Sequence, residues 1–280
     1  MKIDTLQIAS DVRHAILEDV GTGDVTAALL PSHLIVEAEI ISREAMLVCG
    51  QPWVNEVFAQ IDDKIEIEWL VSEGEWLAEP ASLCIIHGTA SSILTAERTA
   101  LNFLQTLSAT ATQTHHYVEK LRGTDTRLLD TRKTIPGLRL AQKYAVVCGG
   151  GVNHRMGLYD AFLIKENHIK ACGTIAKAIN LARSTDKHLL VEIEVETLGE
   201  LREAFEAHPD RILLDNFSLD MLRQAVQMNQ PKYCELEASG GINIENINEV
   251  ARCGVDFISV GAITKSVKAI DLSLLVREVL

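Results

Sequence analysis

The first 122 residues alternate between helical and extended patterns of hydrophobic positions. Residues 5–20, TLQIASDVRHAILEDV, have the spacing of an amphipathic helix that ends at the glycines of the following GTGDVT. Residues 35–50 and 64–88 show the apolar–polar alternation and the Gly/Pro punctuation of strands, which predicts a small antiparallel sheet. Apolar residues at helical spacing then predict one long helix over about 90–121.

Beyond residue 122, short apolar runs alternate with helical stretches. The runs are TRLLDT (126–131), DAFLIKE (160–166), LLVEIEVE (189–196), RILLDN (211–216), CELEASGG (234–241) and DFISVGA (256–262). This alternation indicates parallel strands joined by crossover helices. We therefore predict an α/β barrel of the TIM type, incomplete unless a further strand exists, after a smaller α/β domain. A doubly wound open sheet is the alternative, but no Gly-x-Gly-x-x-Gly follows a first strand.

Polar residues, and in one case glycine, stand at the ends of these runs. They are Asp130, Arg132, Lys133, Lys165, Glu166, Glu192, Glu194, Glu196, Asp215, Glu235, Glu237, Ser239, Ser259 and Gly261. The carboxyl ends of parallel barrel strands meet at one face of the barrel, and active sites of such barrels lie there. The sequence therefore predicts a shared polar pocket at this face.

Each feature also has a purely structural interpretation. The glutamates of VEIEVE (191–196) could pair with neighbouring cations, and Asp215 could cap the following helix. The glycines of SGG (239–241) and VGA (260–262) could form simple turns, although free backbone N–H groups there also suit a phosphate monoester. CGGGVNHRMG (148–157) could be a flexible loop, but its histidine and arginine favour an anion-binding role.

The charge of the chain is unevenly distributed. Its formal net charge is −13, which argues against a general nucleic-acid-binding protein, because phosphate backbones are held by surplus Lys and Arg. Residues 127–170 nevertheless contain eight Lys or Arg and three Asp or Glu, and the remainder of the chain carries −18. A solvated basic face would explain this. Because the cations follow strand ends and glycines, a local pocket for a small anionic ligand is the alternative that we favour.

The cysteines and the apolar segments bear on the cellular compartment. Cysteines occur at positions 49, 84, 148, 172, 234 and 253, without a Cys-x-x-Cys pair. This spacing argues against a zinc site or a disulfide framework and favours free thiols in a reducing cytoplasm. We also expect no membrane association, since no apolar stretch approaches the roughly 20 residues that span a bilayer. The opening MKIDTLQIAS lacks the apolar region of a signal peptide.

Several long motifs occur in a family-specific order along nearly the whole chain. They are LEDVGTGDVT, ERTALNFLQTLSATAT, LLDTRKTIPGLR, KYAVVCGGGVNHRMGLYDAFLIKENH, VEIEVETL, ILLDNF, EASGGI and ISVGAITKS. In these motifs the chain resembles the quinolinate phosphoribosyltransferases, the carboxylating nicotinate-nucleotide pyrophosphorylases.

The resemblance implies an enzyme of NAD biosynthesis. Members of this family of pentosyltransferases combine quinolinate with phosphoribosyl pyrophosphate (PRPP) and release pyrophosphate and CO2, giving nicotinate mononucleotide. The implied architecture is an N-terminal α/β sandwich over 1–110, on which 267–280 packs, and an incomplete TIM-like α/β barrel over 111–266. The resemblance also implies at least a homodimer, Mg²⁺ accompanying PRPP, and no organic cofactor.

The resemblance also implies a set of site residues. Quinolinate is expected at Arg132, His154, Arg155 and Lys165, with Arg98 acting in trans from the partner subunit. PRPP is expected at Lys133, Lys165, Glu194 and Asp215, of which Lys133, Glu194 and Asp215 are the catalytic candidates. The 5′-phosphate is expected at Ser239, Gly240, Gly241 and Gly261, with Thr131, Val260 and Ala262 as further substrate-binding positions. No metal ligand is assigned, although Mg²⁺ is expected near Glu194 and Asp215.

Two other functions are compatible with the motifs. One is a related enzyme of the same fold that uses another nitrogenous base or serves molybdenum transport. The other is a catalytically silent binding or regulatory protein, which the presence of all the matched ionisable positions disfavours.

Overall fold

The computed structural model describes residues 4–280, and its contacts divide the chain into two compact units. The first unit contains the chain up to His115, Ile135–Gly149 and Ser266–Leu280, and the second contains His116–Thr134 and Gly150–Lys265. These limits differ from the predicted 1–110 and 111–266, because the segment 135–149 packs with the first unit. The C-terminal segment also packs there, as the resemblance implied.

The first unit is built around an antiparallel sheet. Its strands are β1 (Ile35–Ser42), β2 (Met46–Leu47), β3 (Glu66–Trp69), β4 (Trp76–Leu77), β5 (Ser82–Thr89) and β12 (Leu272–Val279). Its helices are α1 (Thr5–Val20), α2 (Gln51–Ile61) and α4 (Arg139–Cys148), and α3 (Ala90–Lys120) begins in it. The main sheet has the order β12–β1–β5–β3, and β2 pairs with β4. α1, α3 and the strands β1 to β5 lie where the hydrophobic pattern predicted a helix, a long helix and two extended segments, whereas α2, α4 and β12 were not predicted.

The core of the first unit follows from the periodicity of these elements. On β1, Val36, Ala38 and Ile40 are buried at the alternate spacing of a strand with one covered face. On α2, Trp53 and Phe58 are buried in the same cluster. β12 completes the sheet by pairing antiparallel with β1.

The second unit is an incomplete parallel barrel. Its strands are β6 (Arg127–Leu129), β7 (Ala161–Ile164), β8 (Leu190–Val195), β9 (Arg211–Asp215), β10 (Glu235–Ser239) and β11 (Phe257–Ser259). Its helices are α5 (Glu166–Cys172), α6 (Ile175–Thr185), α7 (Leu198–Ala207), α8 (Leu219–Met228), α9 (Ile247–Ala251) and α10 (Ala262–Lys265). The six strands form one sheet in the order β6–β11–β10–β9–β8–β7. β6 and β7 are its two edges, which confirms the predicted incomplete α/β barrel.

Short loops connect the barrel strands to the helices that follow them. Thr197 caps α7 by accepting a hydrogen bond from the Glu200 N–H, and Ser218 caps α8 by accepting one from the Met221 N–H. These caps fix the chain direction directly after β8 and β9. The polar residues at the ends of both strands are therefore held on ordered backbone.

Within residues 4–280, no helix has both the length and the apolar character that spanning a bilayer requires. All six cysteines are free thiols. Two of them approach each other in the first unit, which their sequence spacing did not predict: Cys49, Glu73 and Cys148 have ligand atoms within 4.8 Å of one another. The Glu73 carboxylate also accepts hydrogen bonds from the N–H groups of Gly50 and Gln51 at the start of α2, at 2.8 and 3.1 Å.

Candidate active site

A cavity of about 470 Å³ opens at the carboxyl ends of the barrel strands. It is lined by Thr131, Arg132, Lys133, His154, Arg155, Leu163, Lys165, Glu194, Leu213, Asp215, Glu237, Ser239 and Ser259. Most of the predicted site residues therefore share one polar pocket. A larger cavity of about 890 Å³ lies in the first unit, but Asp11, Glu18 and Asp19 line it, and such acidic walls do not suit an anionic ligand.

The segment after β6 places Lys133 at the pocket. The Thr131 hydroxyl oxygen accepts a hydrogen bond from the Lys133 N–H at 3.0 Å, and the Thr264 hydroxyl donates to the Lys133 carbonyl at 2.8 Å. A Cβ at Gly261 would lie 3.0 Å from Lys133 Cδ and 3.4 Å from Thr131 Oγ1. The glycine after β11 therefore lets the Lys133 side chain lie close to the backbone.

Two aspartates shape the loop that precedes β7. Asp130 is fully buried and accepts hydrogen bonds from the Asn153 amide at 2.6 Å and from the His154 N–H at 2.9 Å. Asp160 accepts two more from the backbone of this loop, at 2.7 and 3.1 Å. The loop predicted from CGGGVNHRMG is thus ordered by carboxylates, and it presents Arg155 to the pocket.

The two arginines make one side of the pocket electropositive. Arg155 is partly buried, and its Nη1 donates to the Ala161 carbonyl at 3.4 Å. Burial and the charge of Arg132 lower the pKa of Arg155, and both arginines line the same pocket. Two cations held together in this way favour an anionic ligand with more than one negative group.

The pocket is also lined by carboxylates. Lys165, after β7, forms an ion pair with Glu194 on β8. Asp215, at the end of β9, accepts a hydrogen bond from the Asn216 side chain at 2.8 Å. Burial and the charge of Glu194 raise the pKa of Asp215, while Lys165 and Lys133 act in the opposite direction. These oxygens can accept hydrogen bonds from hydroxyl groups or from water on a hard cation.

His154 lies at the pocket, but its ring nitrogens face other protein groups. Nδ1 accepts a hydrogen bond from the Arg155 N–H at 2.7 Å, and Nε2 lies 2.9 Å from Glu192 Oε2 and 3.6 Å from Glu237 Oε2. His154 therefore lies at the pocket in contact with Arg155, Glu192 and Glu237, and its expected role as a quinolinate-binding cation stays a prediction.

The glycines expected at the 5′-phosphate do not line the cavity, but the backbone requires some of them. Gly240 has φ +94°, and a Cβ there would lie 2.2 Å from the Asn216 side-chain oxygen and 2.9 Å from the Asn216 nitrogen. Gly241 has φ +62°. Val260, Gly261 and Ala262 link β11 to α10. The turns after β10 and β11 therefore leave their backbone near the pocket uncovered by side chains.

Arg98 lies in the first unit, on α3, and is not among the residues that line the pocket. Its guanidinium is more than half exposed, and its ion pair with Glu97 is 3.8 Å long. The exposed side chain has little internal structural role.

Two family models match consecutive parts of the chain. The model described as "Quinolinate phosphoribosyl transferase, N-terminal domain" matches residues 24–108, and that for the C-terminal domain matches residues 110–275. The chain belongs to the quinolinate phosphoribosyltransferase family. The boundary between the two matches lies next to the predicted domain limit at residue 110.

Individual members of the quinolinate phosphoribosyltransferase family match this chain over nearly its full length. A solved nicotinate-nucleotide pyrophosphorylase from Francisella tularensis is 50% identical, with a TM-score of 0.96 over 99% of this chain and 98% of that chain. A probable carboxylating nicotinate-nucleotide pyrophosphorylase from Bacillus subtilis is 40% identical, over 96% of this chain and 93% of the relative. The corresponding Mycobacterium leprae protein is 39% identical, over 94% of this chain and 95% of the relative.

Leu163 and Leu213 of this quinolinate phosphoribosyltransferase pocket were not predicted, whereas Glu237 and Ser259 were predicted as strand-end residues of the pocket without an assigned substrate. Leu163 and Leu213 precede Lys165 and Asp215 by two positions, so the alternation of each strand places both residues of a pair on one face. The same argument applies to Glu237 and Ser239 on β10. Ser259 ends β11. Period-two counting back from Lys165 and Asp215 would have found both leucines.

Proposed function

We propose that this chain transfers the phosphoribosyl group of PRPP to quinolinate, releasing pyrophosphate and CO2 and forming nicotinate mononucleotide for NAD synthesis. The observation that carries the proposal is that one pocket is lined by the cations Arg132 and Arg155 and by the carboxylates Glu194 and Asp215. Quinolinate is a dicarboxylate, whereas PRPP combines phosphates with ribose hydroxyls. The pocket offers a matching partner for each.

The arginines suit quinolinate, and the other polar residues suit PRPP. Arg132 and Arg155 can each pair with a carboxylate in the planar geometry that guanidinium groups favour. Lys133 supplies a compact charge for the pyrophosphate, and the backbone after β10 and β11 offers N–H groups to the 5′-phosphate. Glu194 and Asp215 accept hydrogen bonds from the ribose hydroxyls.

The reaction needs positioning and electrostatic stabilisation, without a covalent enzyme intermediate. The quinolinate nitrogen attacks C1′ while the C1′–O bond to pyrophosphate breaks, and Lys133 stabilises the departing anion. The carboxylates of Glu194 and Asp215 stabilise the positive charge that develops on the ribose. The pyridinium ring then accepts the electron pair of the breaking C–CO2 bond, and a proton replaces the lost carboxylate at that carbon.

Mg²⁺ fits this pocket as a companion of PRPP. Glu194 and Asp215 supply hard oxygen atoms, but Glu194 is already paired with Lys165. Mg²⁺ usually retains several waters and binds substrate phosphates with few protein ligands. Bound with PRPP, Mg²⁺ would neutralise charge on the leaving pyrophosphate, and Glu194 and Asp215 would hold its waters or the ribose hydroxyls.

We also propose that the enzyme acts as a homodimer in the cytoplasm. Each Arg98 then reaches the quinolinate bound by the partner subunit, which the exposure of its guanidinium supports. A two-fold interface contributes the same residue in both directions, so both sites are completed in trans. The free thiols of all six cysteines support a reducing compartment.

Product analysis tests the proposed reaction. Incubation with PRPP, Mg²⁺ and quinolinate carrying a ¹⁴C label in its 2-carboxylate should release labelled CO2 and form equimolar nicotinate mononucleotide. A protein that binds both substrates without forming product would instead be the silent binding protein. Product formation from another base alone would indicate a related transferase.

A further inference from the structure

Two cysteines and a glutamate lie together in the first unit, and the proposed reaction uses none of them. Cys49 lies two residues before α2, Cys148 is the last residue of α4, and Glu73 lies in the loop between β3 and β4. Both sulfur atoms and one Glu73 oxygen lie within 4.8 Å of one another. The cysteines are far apart in the sequence, so it is the fold that brings their thiols together.

Hydrogen bonds and close packing fix the backbone at both cysteines. The Ser108 hydroxyl accepts a hydrogen bond from the Cys49 N–H and donates one to the Cys49 carbonyl, each at 3.0 Å. Directly after Cys148, a Cβ at Gly149 would lie 2.5 Å from the Ala111 carbonyl oxygen, so the glycine lets the end of α4 pack closely. The two sulfurs are therefore held near each other, and they need to approach by less than about 3 Å to form a disulfide.

The two thiols differ in exposure and in acidity. Cys49 is fully buried, whereas Cys148 is partly exposed. Interaction with the Cys49 thiol lowers the pKa of Cys148, although burial and the charge of Glu73 oppose this effect. The Tyr144 hydroxyl also lowers the pKa of Cys148, whereas burial raises the pKa of Cys84 on β5 to about 12. A partly exposed thiol of lowered pKa beside a second thiol is the arrangement that peroxides oxidise reversibly.

We propose that Cys148 is a modification site for hydroperoxides and that Cys49 converts the oxidised residue into a disulfide. The Cys148 thiolate attacks the peroxide, so that an S–O bond forms and the O–O bond breaks. The hydroxide that leaves takes up the proton that Cys148 had released to solvent. The Cys49 sulfur then attacks the sulfenic acid, the S–S bond forms, the S–O bond breaks, and the second hydroxide leaves as water with the Cys49 proton. Two thiols lose two electrons, and hydrogen peroxide is reduced to two waters.

The first oxidation step prepares the second. Burial, the neighbouring Cys148 and the charge of Glu73 raise the pKa of Cys49 well above its usual value. Conversion of the Cys148 thiolate into an uncharged sulfenic acid removes one of these causes, and the Glu73 carboxylate lies close enough to relay the Cys49 proton. The disulfide also stops further oxidation of Cys148 to sulfinic acid, and thiols such as glutathione reverse it. The site therefore protects the chain from irreversible oxidation, independently of the proposed transferase activity.

Thiol counting and peptide mass spectrometry test the site on the full chain. After treatment of the reduced protein with equimolar hydrogen peroxide, we expect the loss of two of the six thiols. Digestion without reductant should yield a peptide in which Cys49 is cross-linked to Cys148, and reduced glutathione should restore both thiols. These measurements involve no turnover, so their outcome is separate from that of the proposed function.

Three serine variants separate the two steps. Cys148→Ser should abolish the loss of thiols. Cys49→Ser should stop at a Cys148 sulfenic acid that dimedone traps, and excess peroxide should convert it into a sulfinic acid that glutathione does not reduce. Cys172→Ser is the matched control, because Cys172 at the end of α5 is also partly exposed but lies outside this group. It should be oxidised as wild type is, and in the wild type Cys148 should react at least about tenfold faster than Cys172.

Three results would overturn the proposal. The first is equal rates of oxidation at Cys148 and Cys172, and the second is a sulfinic acid at Cys148 of the wild type without the cross-linked peptide. The third is a stoichiometric zinc ion, found by elemental analysis of the purified protein and lost in Cys49→Ser, because the two thiols would then be metal ligands. The wild-type peptide map requires no variant, so the test stands even if Cys49→Ser, at a buried position, does not fold.

Discussion

At the residue scale, Asp215 shows how its surroundings adapt one carboxylate to the reaction. Burial and the charge of Glu194 raise its pKa, while Lys165 and Lys133 keep the ionised form accessible. In the proposed mechanism the ionised carboxylate is the form that stabilises positive charge on the ribose. Because the pKa of Asp215 is raised, its carboxylate takes up a proton at a higher pH than an ordinary aspartate does. On acidification, activity should therefore begin to fall at that higher pH.

Asp215→Asn tests this role, since it keeps the shape of the side chain and removes its charge. We expect turnover to fall by about 10²–10³-fold, the usual effect of losing an electrostatic stabiliser. The fall of kcat/KM at acidic pH that protonation of Asp215 causes should disappear from the pH profile of the variant. Asp220→Asn, at an exposed aspartate on α8, is the control and should behave as wild type. Wild-type turnover by Asp215→Asn at saturating Mg²⁺ and PRPP would refute the role.

Lys133→Ala tests the proposed role of Lys133 at the pyrophosphate, separately from the proposed roles of Glu194 and Asp215 at the ribose. The variant loses the cation whose side chain lies next to Gly261. We expect the activation free energy to rise by about 2–4 kcal/mol, with a corresponding fall in turnover. Lys170→Ala, at an exposed lysine paired with Glu166, controls for the loss of a positive charge nearby. Steady-state pyrophosphate release measures both variants, and equal rates for them would remove Lys133 from the mechanism.

His154 marks the limit of residue-level prediction. The sequence and the family resemblance placed it at the pocket, and the structure agrees. Its hydrogen bonds were not predictable, because they depend on a local backbone turn at Arg155 and on two glutamates from other strands. Glu192 was identified as a strand-end residue, but period two alone cannot distinguish a buried partner from a substrate contact.

At the element scale, the turns after the barrel strands decide where a phosphate could lie. Gly240 combines a positive φ with close approach to the Asn216 backbone, whereas Gly199 in α7 has only Thr197 Oγ1 nearby, at 3.7 Å. We expect Gly240→Ala to destabilise the protein by about 2–4 kcal/mol through strain and steric overlap. Gly199→Ala should be neutral or stabilising, as alanine favours helices.

Thermal unfolding followed by circular dichroism measures both glycine variants. If Gly240→Ala melts at the wild-type temperature, the turn after β10 tolerates a side chain and our account of its backbone is wrong. The PRPP KM of any folded Gly240→Ala protein should also rise, because the backbone N–H groups move.

Most elements were predictable because their patterns are local. The six barrel strands are apolar runs, and β9 buries Ile212, Leu213 and Leu214 consecutively, as strands covered on both faces do. The segment 135–149 was assigned to the barrel but packs in the first unit, with Ala141 and Ala145 of α4 in that core. Helical periodicity identifies a buried face without indicating which unit covers it.

At the scale of the whole molecule, the proposed trans role of Arg98 predicts a measurable recovery of activity in mixed dimers. Arg98→Ala and Lys165→Ala should each be inactive, because each variant removes a cation from every site. In a mixed dimer one site carries both defects and the other carries none. Random exchange gives about half mixed dimers, so roughly a quarter of wild-type activity should return. Glu97→Ala, the neighbouring position on α3, is the control and should be active alone.

Pyrophosphate release after subunit exchange measures the recovery. Exchange must be followed independently, for example by native mass spectrometry of differently tagged subunits. If mixed dimers form and activity stays at the level of the separate variants, Arg98 acts within its own subunit or not at all.

The central claim is that this pocket was built for a dicarboxylate acceptor. Arg132, Arg155 and Lys165, together with the proposed contribution of Arg98 from the partner subunit, would provide more positive charge than one carboxylate can satisfy. The most direct test is pyrophosphate release from PRPP with quinolinate, nicotinate and nicotinamide as separate acceptors, compared by kcat/KM. We predict that quinolinate exceeds both others by several orders of magnitude. Comparable turnover of nicotinate would contradict the account.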